Sequence, residues 1–355
     1  MRMGALSKIM TEEGFEGALI SPGSNLYYLT GLRIHEAGER PTLLVLNRDG
    51  VHHLLAPSLY ENSIRDFPVT FWHDGEDPYS KLSAILRELG ISSGRLLVED
   101  TMRADWLINV MRLGSFEFHP LGPVIRRLRM RKDIAELKLM KKAAEVVDEV
   151  FEEILSWDLV GMRERDLAFR IELAIRERSD GISFEPIVAS GENGANPHHE
   201  PGERKLRKGD MVILDYGARW EGYCSDITRT IALGRPDPKL VEIYDVVKEA
   251  QENAFLTVRD GIEAREVDRA ARETIENAGY GRYFTHRTGH GLGLDVHEEP
   301  FIGPDGEVTL RNGMTFTIEP GVYVPGLGGV RIEDDVVVDG KGKRLTRADR
   351  SLVQL

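Results

Sequence analysis

Cysteine is almost missing from the 355 residues: only Cys224 is present, and one thiol cannot close an internal disulfide. That scarcity fits a reducing, intracellular setting. Positive charge is also in deficit. There are 46 Lys and Arg against 59 Asp and Glu, a formal charge of −13, which argues against a nucleic-acid partner, since phosphate backbones are gripped by clustered cations. No stretch reaches the ~18 unbroken apolar residues of a membrane helix. Lys8, Glu12 and Glu13 interrupt the opening segment, so it does not read as a signal peptide. Short-period repeats and low-complexity tracts are absent as well. What is there, 41% hydrophobic and 30% charged, is a globular composition. The expectation is an acidic, cytoplasmic protein with no membrane partner, long enough for two domains.

The first third reads as a small α/β domain, residues 1–123. Apolar runs at 17–20, 42–46 and 96–98 have strand length, and Leu82, Ile85, Leu86 and Leu89 share one face of a helix over 78–89. A basic run, Arg126 to Lys132, reads as a solvated connector into the second domain, residues 124–355. There Ile134, Leu137, Met140, Ala144, Val147, Phe151 and Ile154 recur by threes and fours, a long helix with Asp133 as N-cap. A second helix is expected over 164–178, others near 238–258 and 264–278. Strand-like runs at 187–189, 211–214, 315–318 and 330–332 complete an α+β domain with a curved, largely antiparallel sheet.

The chemistry lies in acids at strand ends. Asp215 closes the run Met211–Leu214, and Asp226 follows eleven positions later across Gly217 and Gly222, a spacing that suits a hairpin bearing two carboxylates side by side. Glu319 and Glu333 repeat the arrangement around Gly326, Gly328 and Gly329. Four converging carboxylates repel one another unless cations lie between them. His290, flanked by Gly289 and Gly291, adds an imidazole able to enter a crowded centre. Such an oxygen-rich set suits Mn²⁺, Co²⁺ or Fe²⁺, admits Zn²⁺, and is unlike a thiolate zinc site. Two look-alikes fail: position 294 is Leu, which spoils a dinucleotide fingerprint, and position 301 is Phe, which leaves His297-Glu298 without the second histidine of a zincin helix.

These segments together resemble the pita-bread metallopeptidases, the group of prolidase, aminopeptidase P and methionine aminopeptidase. The carrying motifs are Leu214-Asp215-Tyr216-Gly217, Ser225-Asp226-Ile227-Thr228-Arg229-Thr230, Gly289-His290-Gly291-Leu292-Gly293, His297-Glu298-x-Pro300, Ile318-Glu319-Pro320-Gly321 and Val330-Arg331-Ile332-Glu333-Asp334. Ser24-Asn25-Leu26-Tyr27-Tyr28-Leu29-Thr30-Gly31 resembles the creatinase-type N-terminal domain that methionine aminopeptidases lack.

The resemblance implies a pita-bread domain behind a creatinase-type domain, and a metal-dependent Xaa-Pro peptidase acting on proline-containing dipeptides. The alternatives it leaves are an aminopeptidase P for longer peptides, a creatine-type hydrolase without metal, and a non-catalytic peptide binder. It implies Asp215, Asp226, His290, Glu319 and Glu333 as ligands of two divalent ions, manganese or cobalt ahead of zinc or iron. Asp226 and Glu333 would contact both ions, and Glu319 would also shuttle a proton. His198 would face the developing oxyanion and His297 the proline side. Arg331 would hold a substrate carboxylate or orient His297, and His199 would be structural. A homodimer is implied as well. Phe301 stands where some archaeal prolidases carry a basic residue, and Arg33, His35 or Arg40 would supply that charge.

Overall fold

The computed structural model describes residues 2–34 and 38–355. The chain divides into two compact units, Met1–Arg129 and Met130–Leu355.

The first unit is a six-stranded mixed sheet in the order Val69–Trp72, His52–Pro57, Leu43–Asn47, Gly17–Ile20, Ser93–Val98, Ser115–Pro120. Leu82, Ile85 and Leu86 of the helix Pro78–Glu88 pack with Leu19, Leu43, Val45, Leu55 and Leu96 of the sheet. Asp77 caps that helix by accepting from the Tyr79 amide, and Pro78 takes the first helical position, where its missing N–H is not needed. Residue 124, where composition places the domain boundary, lies inside the helix Gly122–Arg129, whose Val124 and Ile125 are buried. The basic run is not uniformly solvated. Arg129 is buried and donates to Asn25 at 2.6 Å, and Lys132 is buried against Glu298. Arg40 pairs with Asp74, and Arg33 lies over the Tyr27 ring. His35 lies outside the described residues.

The second unit is α+β and its strand pairs are antiparallel. The helix Ile134–Ile154 opens on a capping box between Asp133 and Glu136. With Glu164–Arg176 it covers a three-stranded sheet ordered Ile227–Ala232, Met211–Tyr216, Ile187–Ser190. The helices Pro238–Thr257 and Ala264–Asn277 cover a five-stranded sheet ordered Glu298–Ile302, Gly289–Gly291, Thr315–Ile318, Asp334–Asp339, Lys341–Arg344.

Each sheet is interrupted by a short ribbon, and the interruptions create the site. After Asp215 the chain forms a separate hairpin, Ala218–Trp220 with Tyr223–Cys224, turning at Glu221 and Gly222, both at positive φ (45° and 86°). It then rejoins the ladder, so Asp226 sits just ahead of the strand that pairs Thr228 with Asp215. The second pair of acids differs from the expected simple hairpin. Thr315–Ile318 pairs with Asp334–Asp339, not with Gly328–Arg331, which forms its own ribbon with Gly321–Val324. Because Ile318 pairs with Asp334, Glu319 and Glu333 leave the same end of that ladder together.

Candidate metal centre

Asp215, Asp226, His290, Glu319 and Glu333 line one cavity of about 610 Å³, together with His198, His286, Arg287, His297 and Arg331. Phe184, Ile187, Pro197 and Val296 supply its apolar wall. One ligand atom each from Asp226, His290 and Glu333 lies within 4.8 Å of the others.

The two sheets are joined directly beneath this centre. Thr228 donates to Glu333 at 2.6 Å, the Glu333 amide donates to the Thr228 carbonyl, and Thr230 donates to the carbonyl of Arg331. His290 enters from the strand Gly289–Gly291. A Cβ at Gly289 would collide with the Thr317 carbonyl, and one at Gly291 with the backbone of Glu299, so the flanking glycines answer a steric demand. The Thr317 hydroxyl accepts from the His290 amide and donates to Glu319 Oε1 at 3.1 Å. The Gly291 carbonyl, 3.1 Å from Nδ1 of His290, accepts a hydrogen bond from it. The other nitrogen, Nε2, faces Glu319 Oε1 at 3.2 Å and Asp226 Oδ2 at 3.7 Å.

The electrostatics are those of an anionic cluster. Burial, followed by repulsion from Glu333 and Asp215, pushes Asp226 well above the usual carboxylate range. Burial and then Glu319 and Asp215 do the same to Glu333. Burial also raises Asp215, despite Arg331. Glu319 goes the other way: burial opposes its ionisation, but His290, His286 and Arg331 outweigh it and hold the acid at about 2. Asp215 Oδ1 and Asp226 Oδ1 are buried without a hydrogen-bond partner. Buried carboxylate oxygens without a donor are satisfied by a proton or by a cation, and carboxylate oxygens with an imidazole nitrogen fit a hard or borderline divalent ion.

Arg331 lines the cavity, but its guanidinium turns inward. Nη2 donates to Asp215 Oδ2, Nη1 to the Tyr323 hydroxyl at 3.0 Å and the Pro197 carbonyl, and Nε to Thr228. His198 is exposed on the loop after Gly191–Ala195, where its amide donates to Asn196 Oδ1. His199 instead bonds Glu164 at 2.8 Å. The ring of His297 meets that of His290 edge-on, with centroids 4.1 Å apart, and burial, followed by the neighbouring His290, lowers its pKa to about 4.

His286, Tyr323 and Arg287 at the site escaped sequence reasoning. His286 bonds the Tyr323 hydroxyl at 2.8 Å, which extends the chain Asp215–Arg331–Tyr323 to the cavity wall. Burial pushes the Tyr323 phenol up to about 12, so it remains a hydroxyl at neutral pH. The available signals were the spacing His286-x-x-x-His290 and the tyrosine four positions after Glu319.

The comparisons agree with this geometry. The model of "Metallopeptidase family M24" matches residues 138–340, and that of the "Creatinase/Prolidase N-terminal domain" matches residues 2–131. A dipeptidase structure from Pyrococcus horikoshii is 69% identical with a TM-score of 0.99, covering 100% of both chains. A prolidase structure from Thermococcus sibiricus is 49% identical with a TM-score of 0.97, covering 100% of this chain and 98% of that one. The probable dipeptidase PepE of Mycobacterium tuberculosis is 38% identical over 96% of this chain and 92% of its own length. The fold, the acid-lined cavity and these matches lead to one assignment: the chain belongs to metallopeptidase family M24.

Proposed function

We propose that the chain is an Xaa-Pro dipeptidase using two divalent metal ions, manganese or cobalt first. The observation that carries the reading is the convergence of Asp215, Asp226, His290, Glu319 and Glu333 on one cavity, with carboxylate oxygens left buried and unpartnered. Asp215, Asp226, His290, Glu319 and Glu333 would hold the ions, with Asp226 and Glu333 shared between them. Ions held there supply a nucleophile from water at neutral pH and polarise the scissile carbonyl.

The remaining steps belong to the protein. Glu319 is ionised, and it would take the proton from the attacking water and return it to the leaving nitrogen. His198 and His297 donate to the carbonyl oxygens; at a pKa of about 4, His297 does so as a neutral imidazole. Arg331 holds Asp215. A bond to proline has no N–H for a peptidase to grip, and a site that recognises the first residue's amine and carbonyl does not need one. The dipeptidase and prolidase names of the relatives support the substrate class. Family resemblance also supports a cytoplasmic homodimer, which sizing and fractionation test.

The test is Asp226→Asn and Glu333→Gln. Each is expected to abolish Xaa-Pro hydrolysis and metal uptake, read by elemental analysis, while the chain stays folded. Full metal occupancy with near-normal turnover in either variant refutes the reading. Equal cleavage of an Xaa-Pro-Xaa tripeptide makes aminopeptidase P the better description.

A further inference from the structure

The cavity has a second cation besides Arg331, and it is placed differently. Arg287 follows His286 in the segment leading to His290, and it lines the same cavity as His198 and His297. Its guanidinium makes no ion pair or hydrogen bond among the described residues, whereas the donors of Arg331 are committed to Asp215, Tyr323, Thr228 and Pro197. What holds Arg287 is an aromatic face: its guanidinium carbon lies 4.1 Å from the centroid of the Phe301 ring.

The sheet register explains the shelf. His290 pairs directly with Phe301, and residues opposite one another on antiparallel strands project from the same face. Phe301 therefore leaves the ladder on the side of His290, and at 39% exposed its ring stays partly open to solvent. A guanidinium stacked on a ring keeps its N–H edge free, and that planar fork matches a carboxylate. The acids of the cavity do not neutralise it, because they face His290, Arg331 and one another.

We propose that Arg287, carried on Phe301, binds the free C-terminal carboxylate of the substrate and sets the preference for dipeptides over longer or blocked peptides. The assignment rests on the dipeptidase reading above. It also moves the carboxylate from Arg331, whose guanidinium is occupied, to a cation that is not.

The manganese-loaded full chain is assayed with Leu-Pro and Leu-Ala, each as free acid and as C-terminal amide, and the same compounds are titrated by calorimetry. In the unaltered chain the acid of each pair is expected to be preferred. Arg287→Gln should lower kcat/KM for the acid about tenfold to 150-fold, mainly through KM, and leave the amide unchanged. Arg287→Lys should recover part of the loss, and Phe301→Leu should reproduce a smaller one. An acid-to-amide ratio that Arg287→Gln leaves unaltered, in turnover and in binding, overturns the assignment. Cleavage of Leu-Ala without Leu-Pro refutes the prolyl reading separately, and the Arg287 comparison then stands on the Leu-Ala pair.

Discussion

Arg331 and Asp215 form a buried ion pair between two sheets: Asp215 is the penultimate residue of the strand Met211–Tyr216 of one, and Arg331 ends the ribbon strand Gly328–Arg331 beside the other. The Arg331 side chain is 4% exposed and also reaches Tyr323 and Thr228. The pair thus fixes one proposed metal-side carboxylate through a planar, multidentate cation.

Arg331→Lys should therefore keep the charge and lose the geometry. A single ammonium cannot hold Asp215, Tyr323 and Thr228 at once. We expect metal affinity to fall about 10- to 100-fold, the usual cost of losing an outer partner of a ligand. Arg331→Ala should cost about 3–5 kcal/mol of stability, because Asp215 is left buried and uncompensated. Calorimetric titration with manganese and thermal unfolding measure the two effects; native affinity in Arg331→Lys would refute the bracing role.

Metal removal should reverse the pH dependence of stability. Asp226 and Glu333 hold protons above the usual carboxylate range. Without metal, the stability from these raised groups is complete below about pH 4 and is lost as pH rises through their folded values. Divalent ions displace those protons, so the loaded chain should gain stability over the same rise, about 2.7 kcal/mol at a free-metal concentration 100 times Kd. Melting curves with chelator and with manganese, from pH 4 to 8, check the sign. Parallel curves would show that these acids do not bind the ions.

Glu319→Gln separates proton transfer from binding. The amide keeps the size of the side chain and removes the ionised acid that His290, His286 and Arg331 stabilise. Turnover should fall by about 100-fold or more while KM changes little, since general acid–base catalysis contributes about 10²–10⁴. Elemental analysis reports any accompanying metal loss. Unchanged kcat with a raised KM would contradict the shuttle.

The centre was legible in sequence because each acid closes an apolar strand or precedes one: Asp215 after Leu214, Glu319 after Ile318, Glu333 after Ile332. Helix bounds were legible as well, through Asp77-Pro78 and the Asp133–Glu136 capping box. Pairing was not. Thr315–Ile318 and Gly328–Arg331 look like the two arms of one hairpin, and only tertiary packing sends them to different partners. Lys132 sits in a run that reads as solvated, and its burial depends on Glu298, which is 166 positions away. His286, Tyr323 and Arg287 carry no composition signal; what places them is the fold around His290.

The loop bearing His198 depends on one buried acid that sequence reasoning did not single out. Glu164 begins the helix Glu164–Arg176, and its side chain is fully buried. Oε1 accepts from the Ser190 amide at 2.8 Å, the Ser190 hydroxyl at 2.6 Å and the Asn193 amide group at 3.0 Å; Oε2 accepts from His199 at 2.8 Å and the Gly202 amide at 3.3 Å. Ser190 and Gly202 bracket the segment that carries His198, so this carboxylate ties both ends of the loop. Burial opposes its charge, yet the Ser190, His199 and Asn193 bonds outweigh burial and lower its pKa. A depressed acid contributes stability above the ordinary glutamate value and loses it as pH falls through the folded one. Glu164→Gln has one acceptor oxygen where Glu164 has two, and should cost about 1–3 kcal/mol at neutral pH, with a shallower acid transition. Loosening the loop should also lower kcat/KM about tenfold through misplacement of His198. Because the effect is routed through that histidine, Glu164→Gln should add little to His198→Ala. Full additivity of the two changes, read in kcat/KM, would mean that Glu164 acts on stability alone.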